Sequence, residues 1–482
     1  MHNAARTSLL SLALLGLSAV AAYAQDEKPA IKTVVPSGRD PFHKERGAPT
    51  TVPDFADNLV SVTTIFESYS LKVEDAAVLL NSPPDANARY RRVMELLAAG
   101  KARLDDVQAS ASKPSVRGLI ESVDMLGQPF QFTAPVDGDA APLPSGFQNL
   151  QFGDRLEFEP ILGGDGRACN LSFSLSSKRL LGITELRAGN RAQPQPSTTT
   201  DNREIITSVS LRVGEPALLG TRSQPPAQAG ENADVSIVFG RVVVDKERPE
   251  AAQPPAGPVG YAEHLITFYS LDRAAAREIL VADTKPGACF KLLQALIEKK
   301  QARLEHITSL PTQPGMRAKL DENIVAYGPA GSPQESPVRD NSKPLPGPNA
   351  APPGGNPPKN PNPARPPYFP SMAGKNLGLS IELETTLGTA DASLKGTPLI
   401  ADVNLLVSWR TDAGNLKGAE VLKLYPDINV AESRKIQNYI SCYAGIPTLL
   451  GTLNPPRDNG VNGRKDTGKT WLAFIQVTPV KP

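Results

Sequence analysis

Three short stretches recur in this chain at one fixed spacing, and that recurrence constrains the fold more than any other feature. Tyr69-Ser70-Leu71 returns as Tyr269-Ser270-Leu271, Ala102-Arg103-Leu104 as Ala302-Arg303-Leu304, and Pro114 and Arg117 as Pro314 and Arg317. All share an offset of 200 residues, with no gap between them. Chance can supply one such match; three in one register point to tandem duplication of a domain-sized unit. Further on the register drifts, as loops of unequal length require. GDRLEFEPILG (153–163) aligns with GLSIELETTLG (378–388), and GEPALLGT (214–221) with GIPTLLGT (445–452). The latter pair are followed by Pro225-Pro226 and Pro455-Pro456.

Each copy opens on a strand-like run, TTIFESYSL (63–71) or LITFYSL (265–271). Two helical patterns follow: VEDAAVLL (73–80) and RYRRVMELLAAGKARLDDV (89–107), or AAAREIL (274–280) and CFKLLQALIEKKQARLEHI (289–307). Apolar residues fall on one helical face and charges on the other. The period then changes from about 3.6 to 2. ADVSIVFGRVVV (233–244), IADVNLLVSW (400–409) and WLAFIQVTPV (471–480) are β-branched or alternating runs bounded by Gly, Pro and Asn. The expected fold class is α+β: two tandem units, each a helix hairpin followed by a mostly antiparallel β-sheet.

Proline punctuates this plan. The chain has 47 prolines in 482 residues, about twice the usual ~5%. They concentrate in KERPEAAQPPAGP (246–258), read as a linker, and in 329–370, read as an extended insertion in the second copy. The units are therefore placed at 56–245 and 259–482, after a disordered segment over 25–55.

Residues 1–24 read as an export signal. MHNAART carries Arg6, SLLSLALLGLSAVA (8–21) is an apolar core, and Ala22-Tyr23-Ala24 offers a cleavage site before Gln25. The apolar stretch is shorter than the ~20 residues a membrane span needs. The chain has 51 Lys and Arg against 50 Asp and Glu, so no basic excess marks it for nucleic acid. The three cysteines, Cys169, Cys289 and Cys442, are too few and too scattered for a disulfide framework.

Several motifs invite chemistry. GRKDTGKT (463–470) matches the phosphate-binding loop G-x-x-x-x-G-K-[ST] in full, with Lys469 and Thr470 as ligands. A strand pattern follows where that loop needs a helix, so the segment reads as a polar hairpin turn. His2, His43, His264 and His306 lack metal-ligand spacing, and the last two read as surface or boundary residues at opposite ends of one helical module. Glu157/Glu159 and Glu382/Glu384 are carboxylate pairs on one strand face, read as solvated rather than as an acid–base pair. No catalytic, cofactor-binding or metal-binding residue is expected, and no cofactor.

The β half of each copy resembles the C-terminal β-domain of secretins, the ring-forming outer-membrane proteins of type II and III secretion systems and type IV pili. Copy one shows Gly153, Leu156, Phe158 and Pro160, then NLSFSLS (170–176), Ser208-Val209, Gly214, Leu218-Leu219-Gly220 and the closing run 235–244. Copy two shows Gly378, Ile381 and Leu383, then VNLLVSW, Gly445, Leu449-Leu450-Gly451 and 471–477. SVRGLIESV (115–123) and GMRAKLDENI (315–324) look like the opening strand of that domain. Secretins carry one such domain per chain, and of their V-P-x-L-G-D-I-P-x-L-G run only Ile446 to Gly451 has a counterpart here.

The resemblance implies an exported, non-enzymatic envelope component of the periplasm or outer membrane, linked to protein secretion or pilus machinery. Its implied partners are further copies of itself or another envelope protein, in association with the outer membrane. Two other readings stand beside it: a secreted hydrolase acting at the cell wall, and a monomeric periplasmic binding protein.

Overall fold

Period-two alternation governs most of the chain from Val62 onward, and a computed structural model shows what it builds. The structure describes residues 61–81, 85–133, 143–186, 195–223, 234–244, 259–282, 287–329, 372–389, 399–415, 429–455 and 467–481. The export signal, the segment 25–55, the linker 246–258 and nearly all of the insertion 329–370 lie outside the described residues.

The first half runs β1 (Val62–Lys72), α1 (Val73–Asn81), α2 (Ala86–Ala98), β2 (Ala102–Ser112), β3 (Gly118–Thr133), β4 (Leu143–Leu162), β5 (Ala168–Leu186), β6 (Gln195–Arg212), β7 (Ala217–Ser223) and β8 (Asp234–Val244). The second runs β9 (Tyr261–Asp272), α3 (Arg273–Ala282), α4 (Ala288–Glu298), β10 (Ala302–Thr312), β11 (Arg317–Pro329), β12 (Met372–Thr389), β13 (Leu399–Asn415), β14 (Asn429–Tyr443), β15 (Thr448–Leu453) and β16 (Lys469–Val480). Element order is the same in both. So is the small sheet each forms, β2-β1-β8-β7 in one and β10-β9-β16-β15 in the other. The remaining strands form one eight-stranded sheet, β11-β12-β13-β14-β3-β4-β5-β6.

This architecture corrects the expected α+β class. Four helices of 9–13 residues stand against sixteen strands in three antiparallel sheets, so the described chain is mostly β. The helix pairs are inserts between the first two strands of each half rather than a module ahead of a sheet. Two expected helices also overran. ARLDDV and ARLEHI belong to β2 and β10, not to helices ending at 107 and 307.

The stop signal is in the backbone. Gly100 has φ +68°, and Lys101 and Gly100 donate to the carbonyls of Leu96 and Leu97 at 2.8 and 3.1 Å. That pattern is the left-handed helix ending in which glycine is usual. Lys300 holds the same place at φ +59°, with Gln301 and Lys300 donating to Leu296 and Ile297 at 2.8 and 2.9 Å. A side chain in that conformation costs about 1–2 kcal/mol. Lys300→Gly is therefore expected to stabilise the chain by about 1 kcal/mol, read as a higher urea midpoint at unchanged slope.

The layers follow from alternation. Val238 and Val242 of β8 join a core shared with Leu156, Phe158 and Phe173 of the long sheet. Ile237 and Phe239, one residue out of phase, pack with Leu79, Tyr90 and Val93 of the helices. In the second half, Ile266, Phe268 and Ile475 face the long sheet, while Tyr269, Leu472 and Phe474 meet Ile279 and Leu293. Each small sheet is thus sandwiched between its helices and the long sheet. The long-sheet core runs unbroken through both halves.

Strand registers make the halves comparable position by position. Gly118 lies opposite Phe158, as Ala318 lies opposite Leu383. Cys169 lies opposite Leu211, as Ala401 lies opposite Cys442. Gly214 and Gly445, at φ +85° and +82°, each donate a 2.7 Å bond, to Val242 and Val477 respectively.

Candidate functional site at the joint between the halves

The long sheet is continuous because β14 pairs with β3, from Val430 opposite Leu126 to Gln437 opposite Leu119. The contact is head-to-tail: the last long-sheet strand of the second half meets the first of the first half. Arg434 sits at its centre, 2% exposed. Its guanidinium donates to the carbonyls of Val123 (3.0 Å), Ser433 (3.1 Å) and Asn454 (2.6 Å) and to Glu432 (3.1 Å), with Asp124 at 3.6 Å. The small sheets join in beside it. Thr452 Oγ1 accepts from the Ala109 amide at 2.9 Å, Ser110 Oγ donates to Leu450 O at 2.6 Å, and Asn438 donates to Ser110 Oγ at 2.9 Å and to Ala111 O.

The helices add a third contact. Arg277 of α3 donates to Glu67 of β1 at 2.6 Å and to Tyr69 Oη at 2.9 Å, and its other arm reaches Tyr90 and the Met94 sulfur. Tyr90 and Tyr69 in turn donate to Glu67 at 2.8 and 3.1 Å. Burial, with the Glu67 carboxylate alongside, raises the pKa of both phenols, that of Tyr69 far above its ordinary value.

The strands that correspond to those joined here, β6 for β14 and β11 for β3, form the two edges of the described sheet. Ile436 and Ile440 of β14 are fully buried. Their counterparts Ile205 and Val209 are only half-buried, as are Ala318 and Leu320 of β11. Val107 of β2 is 1% exposed at the joint, whereas its counterpart Ile307 is 54% exposed.

Beside the joint, between the first small sheet and the long sheet, lies a cavity of about 770 Å³. Asp106, Gln108, Asp154 and Arg222 line it, with Gly468 and Lys469 at one side. Burial, then the nearby Asp154 carboxylate, pushes the Asp106 carboxyl up to about 6. The folded state therefore holds this proton more tightly than the unfolded chain. The associated stabilisation is complete below the unfolded value near 3.8 and is lost as pH rises through about 6. Asp106→Asn is expected to stabilise the chain by about 1–2 kcal/mol at pH 7.5. The gain should shrink to little at pH 3, below the unfolded value, in paired urea titrations.

The residues that drew attention in the sequence are dispersed. Residues 463–466 of the loop-like motif lie outside the described part. Lys469 and Thr470 open β16, so a strand follows where a phosphate-binding loop needs a helix. His264 is a correction: it lies in β9, fully buried, with Nδ1 2.9 Å from Leu310 O and Nε2 2.7 Å from Thr385 Oγ1. Burial lowers its pKa. His306 is in the neighbouring strand β10, so the two lie on the paired strands either side of the helix pair rather than on its helices. Glu157 pairs with Arg117 and Arg155, and Glu382 with Arg317. Glu159 is buried, against the expectation of a wholly solvated face. The three cysteines are free thiols pushed up to about 12 by burial. Among the described residues no cluster of metal-ligating side chains occurs, and no helix is long and apolar enough to cross a membrane. The sequence reading missed Arg434, Arg277 and the cavity.

No protein-family model matches this chain, and no curated protein matches it. Among solved structures it is similar to the InvG secretin domain β-barrel of the Salmonella SPI-1 injectisome, at 10% identity and TM-score 0.19, over 40% of this chain and 63% of that one. It is also similar to the type II secretin GspD of enteropathogenic Escherichia coli, at 11% identity and TM-score 0.18, over 39% and 68% of the two chains. A third is the V. cholerae type IV competence pilus secretin PilQ, at 12% identity and TM-score 0.20, over 39% and 60%.

Proposed function

We propose that this chain is an exported, non-enzymatic structural component of a bacterial-type envelope, in the periplasm or at the outer membrane. In this reading 56–245 and 259–482 are two divergent copies of one secretin-like unit, separated by the Pro-rich linker 246–258. The component assembles with further copies of itself by lateral pairing of the long sheet. One observation carries the reading: the two edges of the described sheet correspond to the two strands already joined inside it. A head-to-tail contact that leaves its own complement open at each end propagates, giving a ring where the rotation closes and a filament where it does not. Folded proteins normally protect such edges; here half-buried Ile205, Val209, Ala318 and Leu320 line them.

The register of the internal joint specifies the test. Ile436 lies opposite Ile120, so Ile205 of one chain should lie opposite Leu320 of the next. The double variant Ile205→Cys/Leu320→Cys, made in the full chain and oxidised, is expected to give a ladder of covalent multimers that neither single variant gives. Light scattering on the parent should return a multiple of the chain mass. A strict monomer that stays out of membrane fractions would overturn the proposal.

A second reading, hydrolysis of cell-wall glycan, draws on the convergence of Asp106 and Asp154 from different strands on the cavity. Clearing of a peptidoglycan suspension by the parent, lost in Asp106→Asn, would favour it.

A further inference from the structure

The two halves differ in side-chain chemistry where the first has its cavity. Ser68 lies opposite Asp106 on β1 and β2; in the same place on β9 and β10, Phe268 lies opposite His306. Asp154 opposite Ser177 becomes Leu379 opposite Trp409. Arg222 opposite Ser236 becomes Leu453 opposite Trp471. The four rings of the second half pack together, Phe268–Trp409 at 5.8 Å, His306–Trp409 at 5.0 Å, Phe268–Trp471 at 6.1 Å and Trp409–Trp471 at 5.4 Å between centroids. All six counterparts in the first half line the 770 Å³ space. One fold thus carries an aromatic plug in one half and a polar chamber in the other.

The chamber wall has polar atoms that reach no partner within the chain: Asp106 Oδ1, Gln108 Oε1, and Nε and Nη1 of Arg222. Gln108 is only 7% exposed. Buried groups left in this state destabilise the fold unless something pairs with them. In the second half Leu453 stands in the place of Arg222 and brings no buried charge. The atoms also have a pattern. Nε and Nη1 lie on different edges of the guanidinium, so each offers a separate charge-assisted N–H to an anionic oxygen. The two acceptors, with the Ser68, Ser177 and Ser236 hydroxyls nearby, match hydroxyl groups. Seven Lys and Arg residues line the same space against five Asp, a balance that leaves room for one negative ligand. The volume lies within the range of small-molecule sites, about 300–1,000 Å³.

We propose that the first half is a binding site for a small polyhydroxylated anion, a sugar acid or sugar phosphate, with the anionic group on Arg222 and hydroxyls on Asp106 and Gln108. This site does not depend on lateral assembly. Calorimetric titration of the full chain with D-glucuronate, glucose 6-phosphate, glucose and inorganic phosphate separates the chemistries. Saturable binding of one or both anionic sugars is expected, with at least tenfold weaker binding of glucose and of phosphate. Arg222→Leu, which copies the second half, should weaken binding at least tenfold. Ser177→Trp/Ser236→Trp, which rebuilds the plug, should abolish it without lowering the unfolding temperature. If that double variant fails to fold, Arg222→Leu decides alone. Failure of the parent to bind either anionic sugar would overturn the proposal, as would phosphate binding as tightly as the sugar phosphate, or affinity unchanged in Arg222→Leu.

Discussion

Arg434→Met should lower the stability of the chain by about 3–5 kcal/mol, the cost of leaving buried charges uncompensated. Glu432 and Asp124 are 1% and 6% exposed, and the guanidinium lies 3.1 and 3.6 Å from them. Removing it leaves two carboxylates facing each other in a medium that screens them poorly. It also withdraws the donor from the carbonyls of Val123 and Asn454, so the β14–β3 seam loses strength at its middle. Arg434→Lys should recover only part of the loss, because an ammonium cannot span carbonyls on three segments at once. The corresponding Arg203 on the edge strand bonds Asp201 at 2.6 Å, with its side chain 15% exposed. Arg203→Met strands one buried carboxylate, Asp201, rather than two, and should cost less than Arg434→Met in the separate chain. Denaturant titration of the three variants at low protein concentration checks the ordering. Equal losses for Arg434→Met and Arg203→Met would mean that the seam does not depend on the buried guanidinium.

How far the sequence showed this can be traced through particular residues. The strands were legible because their side chains obey a period of two, as in DVSIVFGRVVV, where one phase faces helices and the other the long sheet. The recurrence at an offset of 200 was legible because the span from β1 through the helices to β2 has no net insertion relative to β9–β10: Leu71 lies opposite Ala102 as Leu271 lies opposite Ala302. The helix ends were misplaced because Ala302, Leu304 and Ile307 also satisfy helical spacing. What stops the helix is a left-handed residue, and Lys300 gives no compositional warning of it. His264 was misjudged for a related reason: assigned to a helical end, it occupies the centre of a strand pair. Arg434 could not be found by local pattern, since its partners come from residues more than 300 positions away as well as from its own strand. The cavity did leave a trace. Ser68 against Phe268 and Asp106 against His306 fall in the ungapped stretch at offset 200, where ring-to-polar exchange marks a place at which the two halves pack differently.

Arg277→Met is the other change expected to be costly, again about 3–5 kcal/mol. Glu67 is the one acidic residue in the apolar run TTIFESYSL, and it is 1% exposed. A carboxylate so placed needs a cation, and the first half has none to offer from its own helix: the counterpart of Arg277 there is Ala77. The second half supplies the cation across the joint, and the counterpart of Glu67 in the second half is Thr267, which needs none. Charge and countercharge are thus divided between the halves. The first half alone would carry a defect that the contact repairs. Tyr69 and Tyr90 would still donate to Glu67 in Arg277→Met, but two neutral phenols do not neutralise a buried carboxylate. Glu67→Gln should therefore rescue the variant. The double variant Glu67→Gln/Arg277→Met is expected to be at least 2 kcal/mol more stable than Arg277→Met alone, a coupling of the size that contacting residues show in such cycles. Independent, additive losses at the two positions would mean that the helix contact contributes packing only, and that the halves are held together by the β14–β3 seam.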